Sequence, residues 1–325
     1  MSESAVSQQQ EQVNAYFQSQ SSFWRDIYSR GGVQAEIFRA RQERALSWID
    51  SLGLAPGSRV LEIGCGAGFM AVALAQRGFC VHAIDSAESM IELARQHAEE
   101  AGVTDQLSAS IGDVYALAFE DGSFDLVVAI GVIVWLARPE LALHEMARVT
   151  KPGGYAILTS PNPEELHSLL DPWKNPLVKV LKLRLKHVLE RTGLRHRKPG
   201  GTLRASVIFH KRRYIDETLA NAGLVKNKGV TIGFGPFSLR RQKIFPDALG
   251  VVLHQRLQRL ADRGVPVLRT TGMSYLVLTR KALSQPVVQS TTVEEAESVN
   301  YPGTHKGCQE HLLLPGNGGY IDERR

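Results

Sequence analysis

The 325-residue chain is 43% hydrophobic and 22% charged, a balance that excludes a disordered or fibrous protein and suits a globular one with a sizeable core. No apolar run approaches the roughly 18–20 residues of a membrane-spanning helix, the Gln/Ser-rich start lacks a signal-peptide core, and three cysteines make no disulfide framework, so a cytoplasmic location is the expectation. The net charge of +5 is unevenly spread: from Lys174 to Arg213 thirteen Lys/Arg accompany one acid, Glu190, so that segment carries +12 and the remainder −7.

Residues 1–12 read as a disordered polar tail. A helical cap follows over 13–56, broken at Gly31-Gly32, whose Tyr16, Phe17, Phe23, Trp24 and Tyr28 suit either a cover for a cofactor cleft or plain helix core. Strands and helices then alternate over 57–162. Strands are predicted at 59–63, 80–84, 107–111, 124–130 and 155–160, and helices at 69–77, 89–101 and 140–149, with a turn at 151–154. Phe124 to Ile130 is nearly continuous in apolar residues, as a strand buried on both faces should be. Such alternation predicts an α/β fold with a parallel sheet covered on both faces.

The regular pattern stops at Pro161. Residues 163–210 form a basic insertion, and 211–283 carry a helix at 213–222, a strand at 224–231, a mostly helical stretch at 240–263 and a last strand at 274–279. Residues 284–325 read as a second disordered tail.

The chemistry concentrates in Glu62-Ile63-Gly64-Cys65-Gly66-Ala67-Gly68, where a strand feeds three alternate glycines and then a helix. Glycine lets a ligand approach the backbone closely, so the turn is a cofactor-binding geometry. A dinucleotide turn spaces its glycines differently, and Glu62 would repel a pyrophosphate while suiting a ligand with a cationic end. Asp85 ends the next strand about 20 residues on, where a carboxylate can accept from both ribose hydroxyls. Asp113 follows the third strand, where an adenine amine could donate to it. Three acids at successive strand ends beside one glycine turn point to a nucleoside site.

With those residues in place, 59–160 resembles the class I S-adenosylmethionine-dependent methyltransferases. The likeness lies in Val60–Gly68, Asp85, Gly112-Asp113, Phe124–Val132 and Arg148–Gly154. Ser86, Met90 and Leu93-Ala94 look like the branch holding ubiquinone-pathway and other small-molecule O- and C-methyltransferases. The resemblance implies a Rossmann-like, doubly wound, seven-stranded, mostly parallel sheet with a C-terminal antiparallel strand, plus helical N-terminal and lid insertions. It implies S-adenosylmethionine as cofactor. Gly64, Cys65 and Gly66 would pass its amino-acid part, Asp85 would hold the ribose, Met90 and Val114 would sandwich the adenine, and Asp113 would bind its amine. Ile130, Gly131 and Val132 would lie beside the methionine portion. Gly68 and Ser86 complete the candidate set.

Cys65 reads as a small loop residue rather than a nucleophile. His144, His167, His187, His196 and His210 sit in no trustworthy motif, so no catalytic base is assigned and no metal is called for. The acceptor is expected to be a small organic or lipid-like molecule, with oxygen the favoured atom. Leu177, Leu181, Leu185 and Val188 recur at helical spacing among lysines. Residues 176–191 therefore suit either a lid packed on the core or a peripheral membrane contact. An RNA methyltransferase using the insert, and a non-catalytic cofactor-binding protein, remain as alternatives. Nucleic acid is disfavoured because no aromatics interleave the charges.

Overall fold

Each apolar run of the central region becomes a strand because the glycine-closed helices between them force parallel crossovers. The computed structural model describes residues 3–27, 31–166, 207–239 and 242–283. Most of the basic insertion, including 176–191, and the tail 284–325 lie outside the described residues.

The central strands are β1 (Arg59–Ile63), β2 (Cys80–Asp85), β3 (Leu107–Ile111), β4 (Phe124–Ala129) and β5 (Thr150–Pro161). Between them run α4 (Phe69–Ala75), α5 (Glu88–Glu100) and α6 (Pro139–Val149). After the insertion come α7 (Arg212–Asn221), β6 (Leu224–Ile232), the short hairpin β7 (Ser238–Leu239) and β8 (Gln242–Lys243), α8 (Asp247–Asp262) and β9 (Ser274–Lys281). The seven-stranded sheet has the order β3-β2-β1-β4-β5-β9-β6. Neighbours are parallel except where β9 enters antiparallel between β5 and β6. This is the expected doubly wound, mostly parallel sheet with one antiparallel strand.

Strand β4 shows why its sequence is uninterruptedly apolar. Leu126 and Val128 pack with Ala45, Ile49, Leu74 and Ile91 on one face, while Val127 and Ala129 pack with Leu143, Met146 and Ile215 on the other. The strand order reverses between β1 and β4. A crevice opens at such a switch point, beyond the carboxyl ends of the strands.

Three departures from the sequence reading matter. The chain is already helical from the third residue: α1 (Glu3–Ser19) overlaps the expected disordered tail, followed by α2 (Ser21–Asp26) and α3 (Val33–Asp50). Its polar residues find distant partners, with Gln10 Nε2 donating to Ser86 Oγ at 3.1 Å and Gln9 Nε2 to the Trp135 carbonyl at 3.1 Å. The expected turn at 151–154 lies inside β5, where a register shift opposite Phe124 and Leu126 absorbs Gly153-Gly154. The stretch 240–263 becomes helical only at Asp247, behind the β7–β8 hairpin. Cys65 is a free, buried thiol. Among the described residues no helix is long and apolar enough to cross a membrane.

Helix α8 is tied to the segment after β6 through polar groups. The Gly233 N–H donates to Gln258 Oε1 at 2.9 Å and the Phe234 N–H to His254 Nδ1 at 3.1 Å. Burial pushes His254 below the ordinary imidazole range, against the pull of the Glu36 carboxylate. A protonated ring has no lone pair left for the Phe234 N–H. His254 therefore favours the fold when neutral, and its contribution is present above the unfolded value near 6.5 and is lost as pH falls below it. Hydrogen exchange of the Phe234 amide, corrected for its intrinsic rate, should accelerate between pH 7.5 and 5.5 in the wild type. Unchanged protection over that range would contradict this linkage.

Candidate cofactor site

The glycine turn is built by contacts that only glycine permits at two positions. Gly64 has φ +63°, and a Cβ there would lie 2.5 Å from Val132 Cγ2. Gly68 has φ +83°, and a Cβ there would lie 2.8 Å from Ala94 Cα. The first close approach brings the β1 turn against the segment after β4. The second seats α4 on α5. The Cys65 N–H reaches the Ile84 carbonyl at 3.0 Å, tying the turn to β2.

Asp85 closes the turn from the next strand. Its Oδ2 accepts the Gly66 N–H at 2.9 Å and its Oδ1 the Ala87 N–H at 3.0 Å. Burial pushes its carboxyl above the ordinary range, with the Ala87, Gly66 and Ser86 N–H groups opposing the shift. Glu62 is 3% exposed, and burial, then repulsion from Asp85, raises its carboxyl well above the ordinary range. The Ala71 N–H, in the first turn of α4, partly offsets this. Its Oε2 is buried and has no hydrogen-bond partner in the protein. A buried carboxylate oxygen left this way calls for a donor from outside the chain.

A cavity of about 260 Å³ occupies the crevice. Of the twelve sequence candidates, Glu62, Gly64, Cys65, Gly66, Asp85, Ser86, Asp113, Val114, Ile130 and Gly131 line it. Gly68 and Met90 do not. Met90 is 0% exposed and lies on the core-facing side of α5 with Ile91 and Ala94. Asp113 is exposed at the rim and its Oδ1 accepts the Tyr115 N–H at 2.9 Å. Val132, also named from the sequence, lines the wall. The Gly131 N–H is fixed by Thr159 Oγ1 at 2.7 Å.

The Cys65 thiol has no activating partner. Burial raises it well above the ordinary thiol range, and Asp85 and Glu62 add to the rise. A thiolate nucleophile needs the opposite surroundings.

The aromatics of the N-terminal cap, left open by the sequence between a cover for the cleft and plain helix core, reach the cavity in part. Val13 and Phe17 from α1, Trp24 from α2, Phe38 and Arg41 from α3, and Val134 and Trp135 after β4 also line it. Phe17 packs on Trp24 with centroids 5.4 Å apart and on Trp135 at 5.3 Å. Of the five aromatics before Gly31 that the sequence offered for that cover, Phe17 and Trp24 line the cavity. Among the described residues no group of three or more His, Cys, Asp or Glu could hold a metal ion.

Residues 61–158 match the family described as "Methyltransferase domain". That stretch of the chain is a methyltransferase domain. The Biotin biosynthesis bifunctional protein BioHC of Teredinibacter turnerae is 33% identical over 158 residues, which is 45% of this chain and 28% of that protein. The Ubiquinone biosynthesis O-methyltransferase of Paracidovorax citrulli is 36% identical over 149 residues, 46% of this chain and 60% of that one. The chain thus spans less than two thirds of the length of these relatives. The fold is shared with magnesium protoporphyrin IX methyltransferase (ChlM) from Synechocystis PCC 6803, solved with bound S-adenosylhomocysteine. The TM-score is 0.56 at 18% identity, over 84% of this chain and 100% of that one.

Proposed function

We propose that the protein transfers a methyl group from S-adenosylmethionine to a small organic or lipid-like acceptor, with oxygen the favoured atom. The observation that carries this reading is the buried, unpartnered Glu62 oxygen beside a glycine turn whose second strand presents Asp85. The donor set fits that cofactor: a carboxylate for a cationic end, a second for ribose hydroxyls, and open backbone between them. Glu62, Gly64, Gly66, Asp85, Ser86, Asp113, Val114, Ile130 and Gly131 would hold it. When bound, S-adenosylmethionine supplies an electrophilic sulfonium methyl.

The chain's own part in such a reaction is positioning and exclusion of water. Phe17, Trp24, Phe38 and Trp135 give the cavity an aromatic lining. Holding an acceptor there at near-attack distance can supply several kcal/mol of the barrier reduction, about 7–11 at the upper limit of orientation effects. The relatives named for ubiquinone and protoporphyrin methylation support a small-molecule acceptor. The residues expected to bind it, 163–210, lie mostly outside the described ones, and so does the basic helix considered for a lid or a membrane contact.

The reading is tested by incubating the full chain with methyl-labelled cofactor and fractionated cell extract. Label entering lipid or small-molecule fractions is the expected result. Label entering only RNA would favour the basic insert as a nucleic-acid surface. Cofactor binding without label in any fraction would leave a non-catalytic binding protein.

A further inference from the structure

Helix α8 is packed inside out. The side it turns to the protein carries Gly250, His254, Gln258 and Ala261, two of them polar. On the opposite side Leu249, Val252 and Leu260 are 51%, 43% and 40% exposed. These three alternate at helical spacing with Arg256 and Arg263, so they form one stripe along a helix of 16 residues, about 24 Å long. An amphipathic helix of a globular protein places its apolar stripe inward. Here His254 and Gln258 hold the helix down through hydrogen bonds, and the aliphatic stripe is left outside.

The chain on either side extends the stripe. Ile244 and Phe245, between β8 and the helix, are 53% and 36% exposed, and Val265 and Val267, just beyond its end, 37% and 61%. Seven of the fifteen large apolar residues exposed among the described ones thus fall within 244–267, a concentration that singly scattered surface hydrophobics do not show. The charges of the segment are one-sided. From Lys243 to Arg269 five Lys/Arg accompany two acids. Both acids are engaged, Asp247 by Lys243 at 2.9 Å and Asp262 by Arg44 at 2.7 Å. Arg256, Arg259 and Arg263 have no ion pair among the described residues.

We infer that this face is a docking surface for an anionic lipid bilayer, on which α8 lies in the plane of the interface. An interfacial helix sinks its apolar face about 5–10 Å into the boundary between headgroups and acyl chains and is drawn to anionic lipid by its basic residues. Leu249, Val252 and Leu260 interleaved with Arg256, Arg259 and Arg263 supply both parts. Guanidinium groups on long stems reach the phosphates while the aliphatic tips go deeper. A second copy of the chain fits this face less well, because pairing two such faces would bring the free arginines of both together. The surface is separate from the basic stretch 176–191, and it stands whether or not the protein transfers methyl groups.

Flotation of the full chain with vesicles tests this. Phosphatidylcholine vesicles containing about one third phosphatidylglycerol should carry the protein, more weakly as salt rises, and pure phosphatidylcholine should not. The variant Leu249→Ser/Val252→Ser/Leu260→Ser should bind the anionic vesicles at least about tenfold more weakly. Arg256→Gln/Arg259→Gln should lose about tenfold as well. Both variants replace exposed side chains and should melt within about 3 °C of wild type. Val252→Trp should show a blue shift of emission on adding anionic vesicles, beyond that of the wild type. The proposal is overturned if the wild type floats with neither vesicle, or if either multiple variant floats as the wild type does, which would move binding to another surface such as 176–191. It is also overturned if the serine variant does no more than disperse a lipid-free oligomer, which would make the face a contact between copies. Should the serine variant fail to fold, the arginine variant and the Trp emission decide in its place.

Discussion

Asp85→Ala should weaken S-adenosylhomocysteine and 5′-methylthioadenosine alike, each by at least about 100-fold. The carboxylate already accepts the Gly66 and Ala87 N–H groups, which fix both oxygens at the end of β2. Its remaining lone pairs would serve two ribose hydroxyls, and a hydrogen bond to a charged acceptor contributes about 1.5–3 kcal/mol. The loss in stability should be much smaller, below about 5 °C in the melting midpoint. Two amide donors lose their acceptor, but the substitution also removes a carboxylate that burial disfavours. Calorimetry and a thermal melt on one preparation separate these effects. Unchanged affinity for either probe would remove Asp85 from the nucleoside site.

The parts of this molecule readable from sequence are those whose causes are local. The apolar run 124–130 and the glycine-closed helices impose their periods on neighbouring residues, so the sheet and its order follow from them. The acids at the ends of β1 and β2 are legible for the same reason, since strand ends are marked by the glycines and caps that follow. The N-terminal helix is not legible, because Gln9 and Gln10 read as solvated until Trp135 and Ser86, more than 70 positions away, appear as their partners. Arg41 is hidden in the same manner: on its own helix it is one basic residue among Arg39 and Arg44, and only the fold brings it to the cavity. Met90, expected from the resemblance to flank the adenine, is fully buried on α5. Its helix turns Met90, Ile91, Ala94 and Ala98 inward together, so a nearby motif says less about its direction than the helical period does.

Gly68→Ala should be the most destabilising single substitution in the turn. Gly68 caps α4 with φ +83°, a left-handed conformation that costs a residue with a Cβ about 1–2 kcal/mol. The new methyl would also meet Ala94 Cα at 2.8 Å, a backbone atom of α5 that cannot swing aside as a side-chain tip could. Overpacking of this kind costs about 1–3 kcal/mol more. A combined loss of about 2–5 kcal/mol corresponds to a fall of roughly 5–15 °C in melting midpoint for a domain of this size. Gly64→Ala makes a useful comparison, because its Cβ would strike Val132 Cγ2, a side-chain atom that can move. Its cost should therefore fall mainly on binding of the amino-acid end, where Val132 would be pushed into the cavity, and less on the melt. A Gly68→Ala melt within about 2 °C of wild type would mean that α4 and α5 can separate at this contact. The glycine turn would then owe its sequence to the ligand alone rather than to the packing of the two helices behind it.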